Sequence, residues 1–409
     1  MAPRWDARVR TYFLASPYWV RFADRVQAED GDAEEVWVDL AAAPRVMRCS
    51  GCGETCESVH DHEERWVRDL PILGATTWVR LDRYRLNCAR CGPKLEALSW
   101  LESYARVTRR MAENVARLCK VMTIKHVAEY TGLGWDVVKQ IDKTYMKREL
   151  GPIDLSGITH FIMDEFAIHK GHRYATVFLD PVHRRVLYVC RGNSRKSIRP
   201  FFRLLGRKGR KRIQAVGMDM CAAFENEVRA RCKNAEIVFD LFHVVKKYGK
   251  EVVDRVRVDE ANRLRKDPKK RQVIKSSRWL LLRARKNLKW KQRVRLKELL
   301  NANRRLMTVH VLLADLKHLW DYRYRGAAIR FFKEWMSRAM RSRIEPLKEF
   351  ARKLRGYLPG ILAHCKFRLN TSILEGINNK IKVIKRMAYG YRDDEYFFLK
   401  IRAAFPGIP

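Results

Sequence analysis

Residues 161–170 read FIMDEFAIHK, an apolar run that carries two adjacent carboxylates, Asp164 and Glu165, and then turns basic. With the residues before it, ITHFIMDEF (158–166) has the composition of a buried β-strand. Charge is expensive to desolvate, so an acid at the end of such a strand is either wet where the strand stops or held with other acids around a cation. The sequence IQAVGMDMC (213–221) repeats the apolar-then-acid pattern, with Asp219 placed 219 − 164 = 55 residues after Asp164. A third acid, Glu375, lies in LNTSILEGINNKIKVIKRM (369–387), which has helical periodicity.

The segments around these acids set the expected topology. RYATVFLD (173–180) and RRVLYVCR (184–191) continue the first strand into a three-strand meander. SIRPFFRLLGRKG (197–209) reads as a helix, AVGMDMC as a strand, AAFENEVRARC (222–232) as a helix, and AEIVFDLFHVV (235–245) as a strand leading into a helix. A meander followed by alternating helix and strand is the order of a ribonuclease-H-like α/β domain. Its central strands would bring Asp164 beside Asp219, and paired carboxylates stay ionised only with a cation between them. Hard oxygen donors of this kind select magnesium or manganese. Adjacent side chains on a strand point to opposite faces, so Asp164 is preferred to Glu165 as the cluster member. Asp180, in FLDP, is read as turn chemistry.

Composition narrows the partner. The chain has 409 residues, 47% of them hydrophobic, with 85 Lys+Arg against 46 Asp+Glu and a formal charge of +39. Such an excess calls for a polyanion, and nucleic acid is the first candidate. No apolar run is long enough to span a membrane and no secretory pattern opens the chain, which points to a soluble intracellular protein.

The ten cysteines are too few for a disulfide scaffold of this length, and four of them fall in two CxxCG knuckles, Cys49/Cys52 and Cys88/Cys91, with 35 residues between. Two such pairs complete a zinc tetrahedron with no open position, hence a structural site. Cys56, His60 and His62 are read as bystanders. Residues 10–27 are expected to form a helix and EEVWVDLAA (34–42) a strand, with no chemistry assigned to residues 1–45.

IKHVAEYTGLGWDVVKQIDKTYMKREL (124–150) has the layout of a helix-turn-helix: Ala128 small, Gly132 in the turn, Leu133 and Val138 inward, and Lys139, Lys143 and Lys147 towards DNA phosphates. From 250 to 355 the chain is helical and very basic. Leu306, Val309, Leu313, Leu316 and Trp320 mark its core, and lysines and arginines interleave with Trp279 and Trp290 along a surface suited to a phosphate backbone.

VRDLPILGATTWVRLDRYRLNCARCG (67–92), DEFAIHKGHRYATVFLD (164–180), FDLFHVVKK (239–247) and LEGINNKIKVIKRMAYGYRD (374–393) together resemble the ISL-three insertion-sequence family of DDE transposases, over nearly the whole chain from about residue 45. The resemblance implies a catalytic triad of Asp164, Asp219 and Glu375 that binds two divalent ions, and strand cleavage and transfer at terminal inverted repeats by a homo-oligomer, at least a dimer, on paired ends. It also singles out Asp240 and His243; His243 either orients a phosphate near the ions or is a hydrogen-bonded core histidine. Asn378, Asn379 and Arg386 are candidate DNA contacts, and for Tyr389 and Tyr391 a DNA contact and a packing role stay open.

The expected architecture is therefore residues 1–45, a zinc-ribbon-like module over 46–98 and a helix-turn-helix domain over 99–150. A ribonuclease-H-like catalytic domain over 151–249 and 356–409 follows, interrupted by an all-helical insertion over 250–355. Bacterial cytoplasm, in association with the nucleoid, is the expected location. The alternatives are a DNA-binding regulator or inactive copy, which would not need three acids, and a nuclease without strand transfer.

Overall fold

The computed structural model describes residues 18–27, 34–42, 46–72, 74–169, 171, 173–283, 285–369 and 372–407. Two compact units divide between Glu149 and Leu150. No helix among the described residues is long and apolar enough to cross a membrane.

In the first unit, β1 (Tyr18–Gln27), β2 (Glu34–Ala42), β6 (Ala75–Cys88) and β5 (Val59–Ile72) form one sheet in that order. The small strands β3 (Met47–Arg48) and β4 (Thr55–Cys56) pair with each other, and β7 (Gly92–Leu95) pairs with the end of β6. Alternation along β6 buries Thr77, Val79 and Leu81, which meet Val38, Leu40 and Val67 from the neighbouring strands. The helix expected over 10–27 is corrected where it is described: Tyr18–Gln27 runs antiparallel to β2 as an edge strand. YWVRF is rich in aromatic and β-branched residues, and β2 offers it an unpaired ladder, so tertiary pairing overrides the helical spacing. Residues 10–17 lie outside the described residues.

Helices α1 (Arg109–Leu118), α2 (Ile124–Thr131) and α3 (Trp135–Leu150) follow, around Met111, Val115, Val127 and Val138. Thr123 caps α2, and Gly132 ends it in a left-handed conformation (φ 65°) that only glycine adopts without strain, giving the turn into α3.

The second unit is built on β8 (His160–His169), β9 (Arg173–Asp180), β10 (Arg185–Arg191), β11 (Ala215–Met218) and β12 (Glu236–Phe239), in the order β10-β9-β8-β11-β12. β8, β9 and β10 are antiparallel, and β11 and β12 run parallel to β8. α4 (Arg195–Leu204) and α5 (Gly206–Arg212) cross from β10 to β11, and α6 (Ala222–Arg231) crosses from β11 to β12. Phe178 and Phe201 stack at 4.0 Å on this face. The other face is covered by α15 (Ser372–Met387) and α16 (Asp394–Ala404), whose Leu374, Ile377, Ile381, Phe397 and Ile401 pack on Ile162, Val177 and Leu179.

Between β12 and α15 run α7 (Leu241–Tyr248), α8 (Asp254–Arg263), α9 (Pro268–Ser276), α10 (Arg278–Leu282), α11 (Trp290–Ala302), α12 (Arg304–His318), α13 (Arg325–Arg341) and α14 (Glu345–Leu362). Leu306, Val309, Leu313 and Leu316 are buried as their spacing predicts, with Trp320 packed partly buried against them. The buried Trp335 donates its indole N–H to the Leu312 carbonyl at 2.8 Å.

α14 then returns to the sheet. A Cβ at Gly360 would sit 2.5 Å from the Phe239 ring and 3.1 Å from the Ile237 carbonyl, so the helix crosses β12 with no room for a methyl group. Gly360→Ala is therefore expected to destabilise the fold by about 1–3 kcal/mol through overpacking, more than the roughly 1 kcal/mol that alanine's helix propensity returns. The urea midpoint of the variant against wild type measures this; an unchanged midpoint would mean that α14 can slide on β12.

Candidate active site and cysteine cluster

Register assembles the acids. In the parallel ladders Gly217 pairs with both Ile162 and Val238. Two residues further along come Asp164, still within β8, and Asp219 and Asp240, just past the ends of β11 and β12, so three carboxylates from neighbouring segments gather at one end of the sheet. The expectation that the first strand stops at its acids is corrected: β8 runs on to His169, paired only with β9. What stops there is the other side, because β11 ends at Met218 and β12 at Phe239. Asp164 thus faces a cleft without leaving the sheet's hydrogen bonding, while Asp219 and Asp240 sit one residue past the ends of their strands.

That cleft has a volume of about 1300 Å³ and is lined by Asp164, Glu165, Asp219, Asp240, His243 and Glu375, among others. Asp164 is only 5% exposed. Its Oδ1 accepts from the Glu165 backbone N–H and its Oδ2 from Asn378 Nδ2, both at 2.8 Å. Burial pushes its carboxyl above the usual range, against the opposing pull of His243 and Asn378. Burial also pushes Asp219 up to about 6, with the charges of Asp164 and Glu165 adding to the effect. Oδ1 of Asp219 and Oδ1 of Asn378 are buried with no hydrogen-bond partner. Orphaned hard oxygens among desolvated carboxylates are the donor set that a magnesium or manganese ion fits.

His243 sits between the acids, its Nδ1 3.3 Å from Asp240 Oδ2 and its Nε2 3.8 Å from Asp164 Oδ1. Burial alone would push the ring below its usual pKa, but Asp240, Asp164 and Asp219 overturn this and hold it above. Asp240 caps α7, accepting from the Phe242 N–H at 3.0 Å, and so directs His243 from the first turn into the cleft.

The strand alternation invoked to separate Asp164 from Glu165 holds. Asp164 meets Asn378 on α15, whereas Glu165 turns to the other face and accepts from Asn193 Nδ2 at 2.7 Å. Both still line the cleft, which straddles the edge where β11 ends. Asn378, expected on DNA, is committed to Asp164, while Asn379 and Arg386 line the cleft with Lys382 and Lys385. Tyr389 is 98% exposed at φ 51° and lines the cleft, whereas Tyr391 stacks on Phe397 at 4.5 Å and is a packing residue. Asp180 holds its turn, accepting from the Val182 and His183 N–H groups.

Two residues in this site carried no sequence signal. Asn193 is an ordinary loop residue until it meets Glu165. Lys317, on α12 of the helical block, lines the cleft although 317 − 219 = 98 residues separate it from Asp219. Of the helix-turn-helix lysines, Lys139 and Lys143 are half-buried on α3 and Lys147 is exposed; Lys139 lies over the Trp135 ring at 5.3 Å.

In the first unit the four knuckle cysteines converge, with all ligand atoms of Cys49, Cys52, Cys88 and Cys91 within 4.8 Å of one another. Among the described residues no other group of three or more Cys, His, Asp or Glu comes as close, so the acids of the second unit share a cleft without converging to this degree. Cys49 and Cys52 flank the β3–β4 turn, and Cys88 and Cys91 flank the turn into β7. The backbone N–H groups of Cys91 and Arg90 pull the Cys88 thiol down to about 6. The Glu54 backbone favours the Cys52 thiolate, but burial and the three neighbouring sulfurs overturn it and push the thiol up to about 12. Four sulfurs that cannot ionise together without a cation fit a zinc ion. Cys56, His60 and His62 stay out of the cluster: His60 pairs with Asp61 and His62 stacks on Tyr84.

A cysteine-stapled ribbon and a helix-turn-helix ahead of an α/β domain with a carboxylate cleft make up a DNA transposase, and comparison with known proteins agrees. Residues 45–91 match the zinc-finger of transposase IS204/IS1001/IS1096/IS1165, residues 96–146 the helix-turn-helix domain of transposase family ISL3, and residues 161–401 the transposase domain of that family. The chain belongs to the ISL3 family of transposases. It is 51% identical over 385 residues to the transposase for insertion sequence element IS1001 of Bordetella parapertussis, covering 94% of this chain and 95% of that one. It is also 24% identical over 405 residues to the transposase for insertion sequence element IS1557 of Mycobacterium tuberculosis, covering 90% and 88%.

Purified protein is expected to carry roughly one zinc per chain, released by Cys52→Ser together with a loss of thermal stability in the first unit. Metal analysis with circular dichroism checks this, and a Cys52→Ser protein that keeps its zinc would remove Cys52 from the site.

Proposed function

We propose that this transposase binds the terminal inverted repeats of its insertion sequence and carries out metal-dependent strand cleavage and strand transfer through Asp164, Asp219 and Glu375. The carrying observation is that the parallel pairing of Gly217 with Ile162 is followed, two residues on in each segment, by Asp219 and Asp164, with a buried oxygen of Asp219 left without a partner. The strand order, antiparallel over β10-β9-β8 and then parallel through β11 and β12, supports a ribonuclease-H-like domain whose second and third acids are separated by an all-helical insertion over 250–355.

Asp164, Asp219 and Glu375 are the residues that would hold two magnesium or manganese ions. Such ions, when bound, activate a water or a DNA 3′-hydroxyl and neutralise charge on the phosphodiester. The chain's own groups do the positioning. Asn378 and the Glu165 N–H fix both oxygens of Asp164. His243, on the first turn of α7 between Asp240 and Asp164, is placed to donate a hydrogen bond to a phosphate oxygen. Lys382, Lys385 and Arg386 along α15 give the DNA backbone a cationic wall, and Lys139, Lys143 and Lys147 serve the helix-turn-helix. Strand transfer joins two ends to one target, so two or more chains are expected on paired ends.

Asp164→Asn, Asp219→Asn and Glu375→Gln are each expected to lower cleavage of labelled end DNA in magnesium by at least about 10²–10³-fold, with duplex binding unchanged or tighter because each removes a charge that repels phosphate. Wild-type cleavage by Glu375→Gln would move the third ligand elsewhere. If wild type binds the correct ends but neither cuts nor joins them, the regulator reading replaces this one.

Asn378→Ala should slow cleavage by about ten-fold or more without weakening duplex affinity, and Asn378→Asp should slow it further by setting a like charge against buried Asp164. Weakened duplex binding with cleavage intact would return Asn378 to DNA contact.

A further inference from the structure

Away from the acids, the outer face of α4 and α6 carries an arrangement that the catalytic reading does not use. Glu227 on α6 has a fully buried side chain, and three guanidinium groups converge on it. Arg195 Nε donates to its Oε2, and Arg199 Nε and Arg231 Nε donate to its Oε1, each at 3.1 Å. Charge balance for one buried carboxylate needs a single arginine, and the other two leave a local charge of +2.

The mode of contact matters as much as the charge. All three arginines approach through Nε, and among the described residues their terminal η nitrogens meet no acceptor. None of these nitrogens is among the buried unpartnered atoms, and the three side chains are 48%, 35% and 36% exposed. The η nitrogens therefore face solvent on stems that a common anchor holds still. A planar fork with both ends open is the donor geometry that pairs bidentately with a phosphate.

The surroundings favour the same ligand. The two helices spanning 195–204 and 206–212 contain nine Lys or Arg and no Asp or Glu. Ser194, the cap of α4, follows Asn193, whose amide donates to Glu165 of the cleft lining, so the arginine face starts two residues after a direct partner of a cleft carboxylate.

We propose that Arg195, Arg199 and Arg231, fixed by Glu227, form a phosphate-binding triad that grips the backbone of duplex DNA where it leaves the acid cleft. The site rests on the DNA-cleaving reading for its setting, yet it binds without metal and reads no base. Its arginines are positioning residues that act on DNA placement and do not touch the reacting atoms.

The test is the salt dependence of duplex binding by the full-length protein, with no divalent metal added, by fluorescence anisotropy on a labelled element end. Each neutralised phosphate contributes about 0.9 to the slope of log Kobs against log salt. Arg195→Ala, Arg199→Ala and Arg231→Ala are each expected to reduce the slope by about 0.9 and weaken binding several-fold. Arg195→Lys should keep the slope while losing part of the affinity, since it retains the charge and loses the fork.

Unchanged slope and affinity in Arg195→Ala at an unchanged melting temperature would overturn the proposal and leave the cluster as a structural anchor for Glu227. Should an alanine variant fail to fold, Arg195→Lys against Arg195→Gln, which keeps length and hydrogen bonding without charge, decides by the same slope. Wild-type DNA binding with a slope that responds to Arg195→Ala, but no cleavage in magnesium, would fail the catalytic reading and leave the triad standing. Cleavage with an unresponsive slope would do the reverse.

Discussion

The parallel register of β8, β11 and β12 is the constraint on which the catalytic unit depends. Hydrogen bonding locks Gly217 between Ile162 and Val238, and a shift of one residue in either ladder would turn an acid to the opposite face. Packing enforces this register. A Cβ at Gly217 would lie 3.1 Å from Ile162 and 3.3 Å from Leu369, and α14 passes over β12 with only the hydrogen of Gly360 between them. The apolar core and the carboxylate cleft are in this sense one construction: the same strands that bury Ile162 and Val216 at no exposure deliver Asp164 and Asp219 two and three residues later.

Electrostatics then divides the labour. A chain of net charge +39 attracts DNA over its whole surface, and a general attraction of that kind carries no position. Position comes from the few places where negative charge is concentrated against it. In the cleft, burial and mutual repulsion raise the carboxyls of Asp164 and Asp219, and these acids together with Asp240 hold the His243 ring above its usual pKa against burial. At Glu227 one carboxylate does the reverse: burial would raise it, but three arginines hold it ionised, and it holds them in a fixed array. Acids are outnumbered by bases 46 to 85 in this protein, and both of these groups of them gather positive charge around them, His243 in the cleft and the three arginines at Glu227.

The first unit solves a different problem. Its β3–β4 and β7 segments are too short to bury a core, and the sulfur cluster sits where they meet β6, with Leu86 as the main buried apolar neighbour. A metal held by four thiolates would supply there what apolar area cannot. The long β5–β6 pair extends from that staple, and Asp69 on β5 accepts from Thr108 Oγ1 at 2.6 Å and from Arg110, fastening α1 to the sheet.

By itself the sequence determined the features that local pattern encodes. Paired CxxCG knuckles, the acid after each apolar run, the glycine between α2 and α3, the strand at 34–42 and the order of segments were legible because each is written within a few consecutive residues or at fixed spacing. Tertiary structure alone decided what those residues meet. Tyr18–Gln27 became a strand because β2 offered a free ladder, and β8 continued past its acids because β9 still paired with it. Asn378, polar on an exposed-looking helix, found Asp164 across 378 − 164 = 214 residues of chain. Lys317 reached the cleft from the helical block, and three unremarkable arginines met one glutamate. Contacts of that kind depend on the packing angle of helices on a sheet, which arises only when the whole core is assembled and leaves no trace in the period or composition of any one segment.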